Sequence, residues 1–103
     1  MEEPDFLHKE RYDYSDLLEL VRLLRAPGGC PWDRVQTNDT IKQNMIEEAY
    51  ELVDAINRKD DDGIEEECGD VLLQAAFHTV LKEEQGAFTS GDVLSRVVKK
   101  LIF

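Results

Sequence analysis

The stretch Ile41 to Asn57, IKQNMIEEAYELVDAIN, has the period of a core-facing helix, yet it sets acids where that helix should be dry. An α-helix advances about 100° per residue, so Ile41, Met45, Ala49, Leu52 and Ile56 share an arc of roughly 80°, with Glu48 within about 20° of its edge. Glu51 lies one turn on from Glu48, and Glu47 one turn back from Glu51. A second helical stretch, Ile64 to Glu83, repeats the anomaly with Glu67 and Asp70. The turn Asp60-Asp61-Asp62-Gly63 between them is so short that the two helices must lie antiparallel as neighbours. Acids crowded on facing helices repel one another unless a cation sits between them. Carboxylate oxygens are the preferred ligands of hard divalent ions, and helical bundles build metal sites from inward carboxylates on adjacent helices. Glu48, Glu51, Glu67 and Asp70 are therefore read as ligands for one or two such ions. Glu65, Glu66, Asp60 and Asp61 are read as a solvated charged surface.

The rest of the chain supplies a helical frame. Residues 1–13 are polar without a sustained period and read as a loosely held arm, leaving 14–103 as one domain. Ser15 can cap a helix through Leu24, with Leu17, Leu20, Val21 and Leu24 at helical spacing. Ala26-Pro27-Gly28-Gly29 ends it, and a compact loop follows with Trp32, which is read as pinning the loop to the body rather than stacking on a ligand. Thr40 with Gln43 has the form of a capping box for the central helix, and Asp62 can cap the next. Val71 to Leu81 is apolar nearly all round, which places that helix centrally and calls for a second copy of the chain as cover. Ser90 can cap a last helix carrying Val93, Leu94, Val97, Val98 and Leu101. That helix reaches Phe103 without a stop signal, which reads as a truncation. The expected fold is an all-α antiparallel bundle of four main helices, its four-helix core completed by dimerisation or higher self-association.

Charge and cysteine usage narrow the function classes. A net charge of −11 opposes nucleic-acid polymers and anionic membrane surfaces. No apolar run approaches a membrane span, and Met1 to Tyr14 lacks the basic and apolar regions of a signal peptide, so a cytoplasmic protein is expected. Cys30 and Cys68 form no C-x-x-C pair, and Cys68 falls at a core position where a thiol acts as a small apolar group. Gln74 and His78 continue the line of Glu67 as a polar seam, although His78 alone reads as a satisfied core histidine. No histidine follows a glutamate at the spacing of the di-iron bundles, which disfavours redox iron.

Leu24-Arg25-Ala26-Pro27-Gly28-Gly29-Cys30-Pro31-Trp32-Asp33, Gln36-Thr37, Glu47-Glu48-Ala49-Tyr50-Glu51, Glu66-Glu67-Cys68-Gly69-Asp70 and Phe77-His78, in that order, resemble the MazG family of nucleoside triphosphate pyrophosphohydrolases. The likeness runs from about Ser15 to Phe103. It implies a dimeric all-α bundle that hydrolyses a nucleoside triphosphate between its α and β phosphates, giving the monophosphate and pyrophosphate. It also implies Mg²⁺ held by Glu48, Glu51, Glu67 and Asp70, with Glu47 beside them as the residue that orients or deprotonates water. Lys42, Arg25, Arg34, Lys99 and Lys100 are the candidate cations for the phosphates, and Trp32 a candidate for contact with substrate. Asn38 stands where the family often has histidine and Cys68 where leucine is common. Members often continue past this point with a basic, histidine-containing segment and carry a second similar domain, so the chain reads as one part of a longer protein. The competing class is a non-catalytic helical dimerisation or partner-binding module that keeps the acids as a remnant.

Overall fold

The computed structural model describes residues 5–102, with side chains from Leu7 onward. Every regular element among the described residues is helical: a 3₁₀ turn at Asp5–His8, then α1 (Tyr14–Arg25), α2 (Pro31–Arg34), α3 (Asn38–Asn57), α4 (Asp61–Glu84) and α5 (Ser90–Ile102). The four longer helices are the expected bundle elements, and α2 is a single turn inside the expected loop. Near the N-terminus the Tyr12 hydroxyl donates to the Leu7 carbonyl and Lys9 pairs with Asp16 at 2.9 Å.

Each of the four longer helices is capped by a residue ahead of the expected one. Asp13, not Ser15, caps α1, accepting from the Asp16 amide while the Asp16 carboxylate accepts from the Asp13 amide. Thr37 caps α3, with Thr40 as its reciprocal partner three residues on. Asp60, rather than Asp62, caps α4 by accepting from Gly63 at 3.1 Å. Thr89 and Asp92 exchange the same reciprocal bonds ahead of α5, displacing Ser90. The reason is common to all four. Each stretch holds several short polar side chains within one turn, and the outermost one that finds an N3 amide sets the start.

The α3–α4 link is tight because its helix end is closed on itself. Lys59 takes the left-handed conformation (φ 54°), and the amides of Lys59 and Asp60 donate back to Ile56 and Ala55. A side chain at Gly63 would lie 3.3 Å from the Ala55 Cβ and closer still to the Asp60 carboxylate, so glycine is what lets the two helices meet here. At the far end of the pair Asn38 meets His78, which fixes α3 and α4 as antiparallel.

α4 is the central helix. It packs chiefly against α3 and also touches α1 and α5. The main core joins Leu18 and Val21 of α1, Ile41 of α3 and Ala76, Phe77, Val80 and Leu81 of α4, with Tyr14 and Leu17 packed on its edge. Two expectations about the faces fail. On α3 the inner line runs Ile41, Met45, Glu48, Leu52 and Ala55, while Ala49 and Ile56 are exposed. Cys68 is exposed as well, on the outer side of α4. The face that turns inward is set by where α4 lies, and α4 covers a line slightly rotated from the apolar arc. Much apolar surface stays bare within one chain: Ile46, Tyr50 and Val53 along α3, Leu72 on α4, and Val97, Val98 and Leu101 on α5.

Arg22 clips α1 to the end of α4. Its guanidinium donates through two nitrogens to the two Glu83 oxygens, at 2.8 and 3.0 Å. That pairing holds the Glu83 carboxyl below its usual range. A depressed carboxylate stabilises the fold above its ordinary titration range and loses that contribution as the pH falls through its folded value. Glu83→Gln is expected to cost about 1 kcal/mol in denaturant titrations at neutral pH, with the difference vanishing toward pH 3.

Candidate metal centre

Halfway along the α3–α4 pair, the periodicity of each helix sets two acids on the side toward the other helix, Glu51 staying exposed and the other three half-buried, and the antiparallel packing brings the two pairs together. Glu48, Glu51, Glu67 and Asp70 each offer a carboxylate oxygen, and these oxygens all lie within 4.8 Å of one another. One oxygen of Glu48 and one of Glu67 are buried with no hydrogen-bond partner. Ion pairs among the described residues engage other acids, such as Asp16, Asp54, Glu83 and Glu84. Burial and then the neighbouring charges of Glu51 and Asp70 push the Glu48 carboxyl up. The Glu67 carboxyl is pushed up to about 7, by burial first, then by its contact with Glu51 and the charges of Asp70 and Glu48. Buried carboxylate oxygens without donors, crowded until their charge is costly, are the donor set of a hard divalent cation. The residues present fit such an ion.

The other candidates fall around this centre unequally. Glu47 is exposed and stands outside the group of converging oxygens. Lys42 is exposed and paired with Asp39 at 2.7 Å. Arg34 is exposed at the end of α2, and Lys99 and Lys100 are exposed in the last turn of α5. Arg25 is different, because its guanidinium is already occupied: it donates to Glu84 and to the carbonyls of Asp33 and Gln36, and lies 5.8 Å over the Phe77 ring. Arg25 therefore fastens the loop that Trp32 was expected to pin. The Trp32 side is correspondingly open, with the residue 60% exposed.

His78 is satisfied, as a core histidine should be, but through a partner that helical periodicity does not reveal. The Asn38 amide nitrogen lies 2.8 Å from His78 Nδ1 and 3.3 Å from its carbonyl, and burial holds the imidazole below its usual range. With Nδ1 accepting, the ring is neutral and its proton sits on Nε2. Asn44 is the residue near the site that sequence reasoning missed. It is half-buried and precedes Glu48 by one helical turn, and that spacing was the available signal.

The sequence model of the MazG nucleotide pyrophosphohydrolase domain matches residues 36–103. The chain belongs to the MazG family. Its curated relatives include the nucleoside triphosphate pyrophosphohydrolase/pyrophosphatase MazG of Thermotoga maritima, 48% identical over 86% of this chain and 35% of the relative. The uncharacterized protein YabN of Bacillus subtilis is 45% identical over 88% of the chain and 19% of its own length. The nucleoside triphosphate pyrophosphohydrolase of Escherichia coli is 42% identical over 82% of the chain and 33% of its own length. The chain thus spans about a third or less of the length of these relatives. Both halves of the acid cluster lie within the matched segment. No helix among the described residues is long and apolar enough to cross a membrane.

Proposed function

We propose that this chain carries out Mg²⁺-dependent hydrolysis of nucleoside triphosphates to the monophosphate and pyrophosphate, in a cytoplasmic house-cleaning or nucleotide-pool role. The observation that carries this reading is the convergence of four carboxylates with two buried, unpartnered oxygens. Glu48, Glu51, Glu67 and Asp70 would hold the ion, with Mn²⁺ as a substitute. When bound, the cation supplies charge neutralisation for the phosphate oxygens and a lowered pKa for water.

The chain's own groups then have separate tasks. The four carboxylates would hold the cation at the middle of the α3–α4 pair, and through it the site would accept a triphosphate that the acids alone would repel. Glu47, one turn from Glu51 and open to solvent, orients the attacking water and accepts its proton. Water adds at one of the two phosphorus atoms flanking the α–β bridging oxygen and that P–O bond breaks; attack at Pα expels pyrophosphate, and attack at Pβ expels the monophosphate. Lys42, Arg34, Lys99 and Lys100 are the exposed cations available to the outer phosphates, whereas Arg25 would have to give up its loop contacts to reach them. The bare faces of α3, α4 and α5 support a homodimer or higher assembly, since a small monomer rarely leaves so much apolar surface exposed.

Pyrophosphate release from the common NTPs and dUTP, with and without Mg²⁺, tests the enzyme reading. Release only with metal is expected. No release from any substrate would leave the non-catalytic dimerisation module in its place. In sedimentation at the same concentration, a mass of two chains or more is expected, and a mass of one chain would remove the dimer.

A further inference from the structure

The two long helices are fastened to each other on both sides of the acid cluster. One fastening is the Asp60–Gly63 link, and the other is the side chain of Asn38, at the start of α3, against His78 of α4. Asn38 and His78 are both half-buried, and His78 sits between the buried Phe77 and Thr79. The hydrogen-bond roles at this joint follow from one fixed group. A backbone carbonyl can only accept, so the Asn38 atom 3.3 Å from the His78 carbonyl oxygen is its amide nitrogen. The same nitrogen lies 2.8 Å from His78 Nδ1, which must therefore accept as well, and the imidazole proton sits on Nε2.

A protonated imidazole has no place in this arrangement. A proton on Nδ1 would point at a donor, and turning the amide over to offer Oδ1 would set that oxygen against the His78 carbonyl, acceptor against acceptor. Burial opposes the charge too, and so does the positive end of the α3 dipole at Asn38. The acids of the packed elements are engaged elsewhere: Asp39 of α3 with Lys42, Asp16 and Glu19 of α1 with Lys9 and Arg22, Glu83 of α4 itself with Arg22, and Asp92 of α5 with the Thr89 amide. Lys82, one turn on along α4, is a like charge. We propose that Asn38 and His78 form a pH-sensitive joint that positions α3 on α4, holding while His78 is neutral and releasing as it is protonated, so that acid leaves the pair with one of its two fastenings. Glu48 and Glu51 lie on α3 between the two, and a released joint loosens their half of the cluster from Glu67 and Asp70. A histidine held below its ordinary range leaves stability full above that range, and stability falls as the pH drops through it toward the folded value. The joint does not depend on the proposed hydrolysis.

The chain has two histidines, His8 and His78, so NMR titration follows each, with His8→Gln to assign them. In the wild type His78 is expected to titrate below the ordinary value of about 6.5, its neutral ring protonated at Nε2. Asn38→Asp replaces the donor with an acceptor that suits an imidazolium, and should raise that midpoint by about one unit or more. The same variant should melt below the wild type at about pH 8 and above it at about pH 5, a reversal that loss of a merely structural contact would not give. The Mg²⁺-induced rise in melting midpoint should persist to lower pH in Asn38→Asp than in the wild type. Because the four carboxylates are common to both proteins, that comparison isolates the joint. Asn38→Ala removes the donor without adding charge and should move the His78 midpoint toward its ordinary value, which keeps the test open if Asn38→Asp does not fold. A wild-type His78 that titrates at its ordinary value, a neutral ring protonated at Nδ1, a midpoint unmoved by substitution of Asn38, or a melting difference constant with pH would overturn the joint. An equal acid decline of the Mg²⁺ response in the two proteins would overturn its hold on the acids. These shifts in a protein that releases no pyrophosphate would defeat the hydrolysis and leave the joint standing.

Discussion

Glu48→Gln is expected to lower pyrophosphate release on the order of 10³-fold while making the metal-free protein harder to melt. The two effects have one origin. Glu48 lies on the buried line of α3 with one oxygen unpartnered, and burial together with Glu51 and Asp70 disfavours its charge. In the metal-free protein that charge is a liability, so a neutral amide of the same shape relieves repulsion and raises the melting temperature. Once a cation is required, the same charge is indispensable, and loss of one ligand removes several kcal/mol of transition-state stabilisation. Added Mg²⁺ should raise the wild-type midpoint by mass action on the folded state, and this increment should shrink sharply in the variant. A variant that melts like the wild type with and without Mg²⁺, and still releases pyrophosphate, would remove Glu48 from the metal centre.

Gly29→Ala is expected to cost about 2 to 4 kcal/mol, since of the glycines it is the one whose Cβ would meet backbone atoms most closely. A Cβ there would fall on the last carbonyls of α1, closer to the Leu23 and Leu24 oxygens than van der Waals contact allows, and those atoms are backbone that cannot swing aside. The adjacent amides depend on the same approach: Gly29 donates to Ala26 and Cys30 to Leu24, both at 2.8 Å. Displacing this turn would move Cys30 and Pro31 and, with them, Trp32. The variant should therefore lose stability in denaturant titrations yet keep its Mg²⁺-induced rise in midpoint, because the carboxylates are on α3 and α4. A Gly29→Ala protein as stable as the wild type would mean that α1 and the loop are not joined this closely. A lost Mg²⁺ response in a folded variant would tie the loop to the metal centre.

The acids were legible because helical geometry is local. Once Glu48 and Glu51, or Glu67 and Asp70, are placed three residues apart on helices, their shared side follows from the backbone alone, and a link as short as Asp60 to Gly63 leaves the helices no choice but to face each other. Cap positions were less legible. Asp13, Thr37, Asp60 and Thr89 each have a competing polar residue within one turn, and the winner depends on which side chain reaches an amide. Ala49, Ile56 and Cys68 were placed inside and are outside, since an apolar period names a stripe but not the width of the neighbour that covers it. The joint between Asn38 and His78 spans 40 residues of sequence and leaves no periodic trace.

By itself, the sequence determined an all-α chain, the antiparallel pairing of its two long helices, the family and the four carboxylates most able to hold a cation. Only the tertiary structure decided that α3 turns Glu48 into its half-buried line, that Arg25 rather than Trp32 fastens the loop, and that Asn38 of α3 meets His78 of α4. The difference is physical. Backbone periodicity is set by neighbours a few residues away, whereas burial and hydrogen-bond satisfaction are set by whichever distant segment arrives to fill the space.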